Sequence, residues 1–129
     1  MGMEEAVKLV SLLVALLVST PALADCKTVA DDVARHDRRL KTEANEFETR
    51  YGDIHIPRAD APVAIRQDFL RRLDSLIDAM QGDIDGLRWL IAHHCGPAEE
   101  EPNAIRSVHD MQLMLVALIT RRMDARALR

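Results

Sequence analysis

Histidine and cysteine are the residue types in this chain most able to take part in chemistry, and three such residues are consecutive. The chain has five histidines and two cysteines, and the run is His93, His94 and Cys95. Imidazole nitrogen and thiolate sulfur are common ligands of zinc and copper. Adjacent residues on a helix point about 100° apart, however, so the two histidines are not expected to bind one ion. This run therefore does not predict a metal site.

A second possible site combines His36 and His109, which lie on two different predicted helices. If the helices fold back on one another, this is the one pair of histidines whose levels along the bundle allow them to converge. Such a pair could bind a metal ion or transfer a proton. Inward-facing histidines are more often hydrogen-bonded core residues. A small metal- or ligand-binding protein that uses these two residues is the alternative function that the sequence leaves open.

Signatures of catalysis are absent from the sequence. It has no Gly-rich phosphate loop, HExxH or GxSxG motif. Gln81 and Ala92 stand where a calcium loop would need its first and last carboxylates. The net charge is −4, with both signs interspersed, which does not favour nucleic acid as a partner. We therefore predict a protein that is not an enzyme, has no cofactor and does not bind nucleic acid.

Residues 1–24 have the three parts of a secretory signal peptide. A short charged start precedes an apolar run from Leu9 to Val18, and Ala22-Leu23-Ala24 follows as an A-x-A cleavage pattern. The run is too short for the roughly 20 apolar residues of a membrane span, so membrane contact is expected only if this segment stays uncleaved. The prediction is a protein of the periplasm or a secreted protein, with one small helical domain over residues 25–129.

The two cysteines, Cys26 and Cys95, are predicted to form a disulfide. Cys26 precedes the first helical pattern and Cys95 ends the second, so an antiparallel pair of helices places them side by side. Export to an oxidising compartment favours the bond, and a domain of this size benefits from a covalent link. The competing interpretation is two free or metal-binding thiols.

Apolar residues at spacings of three and four predict three helices. The first covers about residues 27–51, and its charged residues, Asp37 among them, are assigned to a solvated face. The second runs from Pro62 to Cys95 and is predicted to continue through Gly82 and Gly86, because the apolar spacing does not change there. The third extends to about Ala127. The predicted fold is an all-α three-helix bundle, a long antiparallel hairpin plus a third helix, preceded by the signal peptide.

The third helix is more apolar than a bundle requires. From Met111 to Ile119 only Gln112 is polar, so apolar side chains point in every direction around the helix. Flanking helices could cover most of them; otherwise the excess binds a second copy or another protein. The leading hypothesis is a non-catalytic protein-interaction module with an unknown protein partner or a homodimer. Its predicted surface consists of Met111, Leu113, Met114, Leu115, Val116, Leu118 and Ile119.

Overall fold

The computed structural model describes residues 24–52 and 54–128, which form three α-helices. Helix α1 is Ala24–Tyr51, α2 is Val63–Ala92 and α3 is Glu101–Arg126. A single 3-10 turn, Ala98–Glu100, precedes α3. The predicted all-α three-helix architecture is confirmed. Residues 1–23, almost all of the predicted signal peptide, lie outside the described ranges.

Helix α2 is the central element of the bundle. It packs against both α1 and α3, whereas the backbones of α1 and α3 approach each other closely at hardly any point. Because it has neighbours on two sides, α2 buries ten of its residues. The most fully covered apolar side chains of the bundle include Leu40 from α1 and Phe69, Leu73, Met80, Ile84, Leu87 and Leu90 from α2. Ile65, which the apolar spacing assigned to this stripe, is instead exposed.

The ends of α2 differ from the sequence prediction. At its start, Pro62 occupies the N-cap position without a side-chain cap, and the nearby carboxylate of Asp60 pairs with Arg58 at 3.1 Å. At its end, α2 stops at Ala92, three residues before Cys95. His94 and Gly96 there have φ angles of 53° and 127°. Left-handed residues end a helix, and here they turn the chain toward α3.

Gly82 and Gly86 lie within the continuous α2 and let α1 approach it closely. A Cβ at Gly82 would lie 2.6 Å from the ring of His36, and a Cβ at Gly86 would overlap Cγ2 of Val33. Both neighbours belong to α1, so the space that a larger residue would fill is taken by the facing helix. The two glycines are therefore positions of close helix packing, and the predicted continuous helix is confirmed.

Gly86→Ala is expected to lower the free energy of unfolding by about 1–3 kcal/mol, the usual cost of overpacking a core. Val33 is β-branched, which restricts its χ1 in a helix, and it is 1% exposed, so it has little room to move off the new methyl group. The loss outweighs the gain in helix propensity, which is at most about 1 kcal/mol. Urea unfolding, monitored by circular dichroism, measures this change in the free energy of unfolding. Gly82→Ala is the matched control with a smaller expected loss, because the half-buried His36 ring can rotate away. A Gly86→Ala protein as stable as wild type would contradict the close packing.

Candidate functional site

The apolar middle of α3 divides between the core and the outside of the bundle. Met111 and Leu115 are buried, and Leu118 and Ile119 are half-buried against the core. The interaction surface predicted from the sequence therefore needs correction, because these four residues lie on the side of α3 that faces the bundle. Leu113, Met114 and Val116 remain exposed.

The exposed apolar residues of α3 extend beyond the predicted segment in both directions. Ile105, Leu113, Val116 and Met123 are 53%, 59%, 61% and 64% exposed. His109 and Thr120, also exposed, stand between them at helical spacing, so all six share the outward side of the helix. We call this set the outer stripe: Ile105, His109, Leu113, Val116, Thr120 and Met123. Sequence reasoning missed its two ends because it considered only the uninterrupted apolar run.

Two opposite charges flank the outer stripe on the same side of α3. Arg106 follows Ile105, and Asp124 follows Met123. Arg106 is exposed and makes no ion pair with the residues that the structure describes. The carboxylate of Asp124 is 51% exposed and lies 3.5 Å from Nε2 of His55. Both charged side chains are therefore accessible at the edge of the outer stripe.

The orientation of α3, and with it the direction of the outer stripe, is fixed by two arginines near its C-terminus. Arg121 donates hydrogen bonds to the backbone carbonyls of Ile54 and His55. Its guanidinium also lies 4.8 Å from the centre of the Phe47 ring, a cation–π contact. Burial lowers the pKa of Arg121. Arg122 pairs with Asp74 of α2 at 3.2 Å. These contacts stabilise α3 against rotation about its axis.

The consecutive residues His93, His94 and Cys95 each have a different partner. The His93 ring stacks on Trp89 with 3.8 Å between ring centroids, and Nδ1 of His94 lies 3.6 Å from a carboxylate oxygen of Glu101. Cys95 forms the predicted disulfide with Cys26, with their Cα atoms 5.8 Å apart. The three side chains thus take part in a ring stack, a contact with a carboxylate and a covalent bond.

His36 and His109 occupy different surfaces of the bundle. His36 is half-buried where α1 meets Gly82 of α2. His109 is exposed on the outer stripe, on the opposite side of α3 from the buried Met111. Within residues 24–52 and 54–128, no three His, Cys, Asp or Glu side chains are grouped as a metal ion requires.

A pair of buried carboxyl groups lies between α1 and α2, where sequence reasoning did not place one. Asp37 and Asp83 are each 1% exposed. The assignment of Asp37 to the solvated face is therefore wrong. The apolar spacing did indicate that both residues are buried. Asp37 lies four residues after Val33 and three before Leu40, and Asp83 lies three residues after Met80 and four before Leu87. Both are at core positions of their helices.

The two carboxyl groups are expected to share a proton. As carboxylates both would be acceptors only, and none of their oxygens has a hydrogen-bond donor in the described part of the chain. Burial, followed by the charge of Asp37, raises the pKa of Asp83 to about 8. Burial also raises the pKa of Asp37, but Nζ of Lys41, 3.6 Å from Oδ2 of Asp37, favours its charged form. Asp83 therefore keeps the proton at neutral pH and donates it to Asp37.

Known proteins offer no guide to this arrangement. Comparison with protein families, curated proteins and solved structures finds no match for the chain. None of the helices in the described ranges is both long and apolar enough to cross a membrane. Two features of the bundle are candidates for a functional role: the outer stripe and the Asp37–Asp83 pair.

The outer stripe and the Asp37–Asp83 pair differ in whether another molecule can contact them. Each carboxyl group of the pair is almost fully covered by the bundle, so a substrate cannot contact it in this conformation. The outer stripe presents large apolar side chains directly to solvent. Contiguous exposed apolar surface on a small protein usually marks a binding site. The outer stripe is therefore the candidate functional site, and the Asp37–Asp83 pair acts on the stability of the bundle.

Proposed function

We propose that this protein is a non-catalytic interaction protein of the periplasm or the secreted fraction, and that it binds a protein partner through the outer stripe of α3. One observation carries the proposal: four large apolar side chains, each more than half exposed, lie on the same side of one helix. A helix in a soluble bundle normally has polar residues on that side. A second helix or an apolar groove would cover the four side chains.

The energetics favour a weak, reversible complex. Full burial of a large apolar side chain contributes about 1.5–3 kcal/mol, and these four are already partly covered. The gross gain is then on the order of 5 kcal/mol. Association itself costs an estimated 4–15 kcal/mol, so additional contacts beyond the stripe, such as those of Arg106 and Asp124, are needed for stable binding.

The location outside the cytosol is supported by the disulfide between Cys26 and Cys95. Disulfides persist in the periplasm and outside the cell, whereas cytosolic thiols are kept reduced. The A-x-A pattern at Ala22-Leu23-Ala24 adds the sequence argument for export. A partner would accordingly be sought in the cell envelope or among secreted proteins.

Photo-cross-linking from Val116 tests the proposal. With p-benzoylphenylalanine at Val116, irradiation of intact cells is expected to give protein adducts at several times the yield obtained from the same probe at Gln81. Gln81 is the matched control because it is also exposed on a helix but lies on α2. Adding Leu113→Asp should remove the Val116 adducts. Equal yields from the two positions would refute docking at the outer stripe, and the masses of the adducts identify the partner.

A further inference from the structure

We infer that the partner of the outer stripe is a second copy of this chain, with the two α3 helices antiparallel about a two-fold axis at the level of residues 114 and 115. The inference rests on the proposed function and specifies its partner. It is carried by two independent patterns on the outer side of α3: the order of apolar and polar residues along the stripe, and the placement of the two flanking charges.

The outer stripe reads the same in both directions. Its order is apolar, polar, apolar, then apolar, polar, apolar, and the residues pair off as Ile105 with Met123, His109 with Thr120 and Leu113 with Val116. The midpoint of each pair falls at residue 114 or between residues 114 and 115. In a two-fold interface a residue contacts its counterpart on the other copy and the reverse contact is identical. An antiparallel pair of stripes therefore places apolar against apolar and His109 against the partner's Thr120.

The flanking charges have the same symmetry. Arg106 and Asp124 are 18 residues apart, which is five helical turns, so they share one side of α3 at a separation of about 27 Å. Their midpoint is residue 115, the level of the proposed axis. In an antiparallel pair the same sides of the two helices meet, so each Arg106 faces the partner's Asp124. In a parallel two-fold pair the two Arg106 side chains would lie at the same level on opposite edges of the interface, so neither would pair with Asp124.

Both charged groups are free to make the new contact. Arg106 has no ion pair among residues 24–52 and 54–128, and Asp124 has only the 3.5 Å contact with His55. The carboxylate of Asp124 is half-exposed, so a guanidinium can reach it from outside. One strip of helix against helix is at the small end of specific interfaces, below about 1,200 Å² in total. A dissociation constant in the micromolar range is therefore expected.

Sedimentation equilibrium of the mature, oxidised protein from about 1 to 500 µM tests this inference through a charge exchange. Wild type is expected to dimerise, and Arg106→Asp or Asp124→Arg alone should weaken dimerisation about tenfold, because each change brings two pairs of like charges together. The double variant restores both pairs and should return to within about threefold of wild type. Arg35→Asp is the matched control, since Arg35 is 69% exposed on α1 and should leave the dimer unchanged.

The possible results separate this inference from the proposed function. A wild-type protein that stays monomeric at 500 µM overturns the homodimer, and so does a double variant as weak as the single variants. If the Val116 probe then cross-links a different protein, the outer stripe is still a docking surface and only the identity of its partner was wrong. If the Val116 probe gives no more adduct than the Gln81 probe, the docking surface is refuted as well. Circular dichroism of each variant confirms that it is folded.

Discussion

Replacing both Cys26 and Cys95 with alanine is expected to lower the free energy of unfolding by about 4 kcal/mol. The disulfide joins residues 69 positions apart, and closing a loop of that length restricts the unfolded chain strongly in the chain-entropy treatment. The bond also ties the start of α1 to the turn after α2, so it links the two ends of the hairpin that supplies most of the core. Domains of this size are stable by only about 5–15 kcal/mol, so this is a large part of the total.

Urea unfolding of the oxidised wild type and of the double alanine variant measures this difference. Both cysteines are buried, so reductant acts slowly on the folded protein and the variant is the more direct comparison. Reductant should shift the unfolding midpoint of wild type and have no effect on the variant, which serves as its control. Equal midpoints for the oxidised wild type and the variant would contradict a stabilising disulfide.

The second large effect is a loss of stability as the pH rises, on the order of 3 kcal/mol between pH 5 and pH 8. The pKa of Asp83 is raised from 3.8 to about 8 in the folded protein. Between these two values the folded state binds a proton that the unfolded state has released, so stability falls as the pH increases. Each pH unit inside that window contributes at most about 1.4 kcal/mol. Above about pH 8 both states have lost the proton and the decline ends.

The groups around Asp83 determine the size of this pH effect. Asp37 of α1 raises the pKa of Asp83 through its charge, and Lys41, also of α1, opposes that rise. Arg38 favours the charged form of Asp37.

A different group determines how stability falls at low pH, because a hydrogen bond from Tyr51 lowers the pKa of Asp68 to about 2. Its contribution is lost as the pH falls from about 4 toward 2, so these two groups together place the expected stability maximum near pH 4.

The Asp83→Asn variant tests whether the buried carboxyl pair causes this pH dependence, because it removes only the ionisation of Asp83. The amide cannot ionise but can still donate a hydrogen bond to Asp37, so the decline between pH 5 and pH 8 should largely disappear. The variant should then be more stable than wild type at pH 8. Asp85→Asn is the matched control, because Asp85 is exposed on the same helix and accepts a bond from Gln81 at 2.8 Å. A wild-type decline that persists in Asp83→Asn would refute the shared proton. Chemical unfolding at each pH provides the values.

Local sequence patterns determined the helices and their covalent link. The spacing of Leu73, Met80 and Leu87 predicted α2 without knowledge of its neighbours, because the period of a helix is a property of the backbone. The pairing of Cys26 with Cys95 followed from their positions at the start of the first helix and the end of the second, which an antiparallel pair of helices brings together. Gly82 and Gly86 did not interrupt the apolar spacing, and the helix is continuous there.

The position of each helix face relative to its neighbours was decided only by the tertiary structure. The spacing on α1 fits His36 and Asp37 almost equally well, and the approach of α2 buries the aspartate. Along α3, Met111 and Val116 are equally apolar, and the sequence cannot tell which of them meets α2. The sequence therefore indicated excess apolar surface on α3. The angle at which α2 packs against α3 decided that Met111 and Leu115 fill the core and that the outer stripe faces solvent.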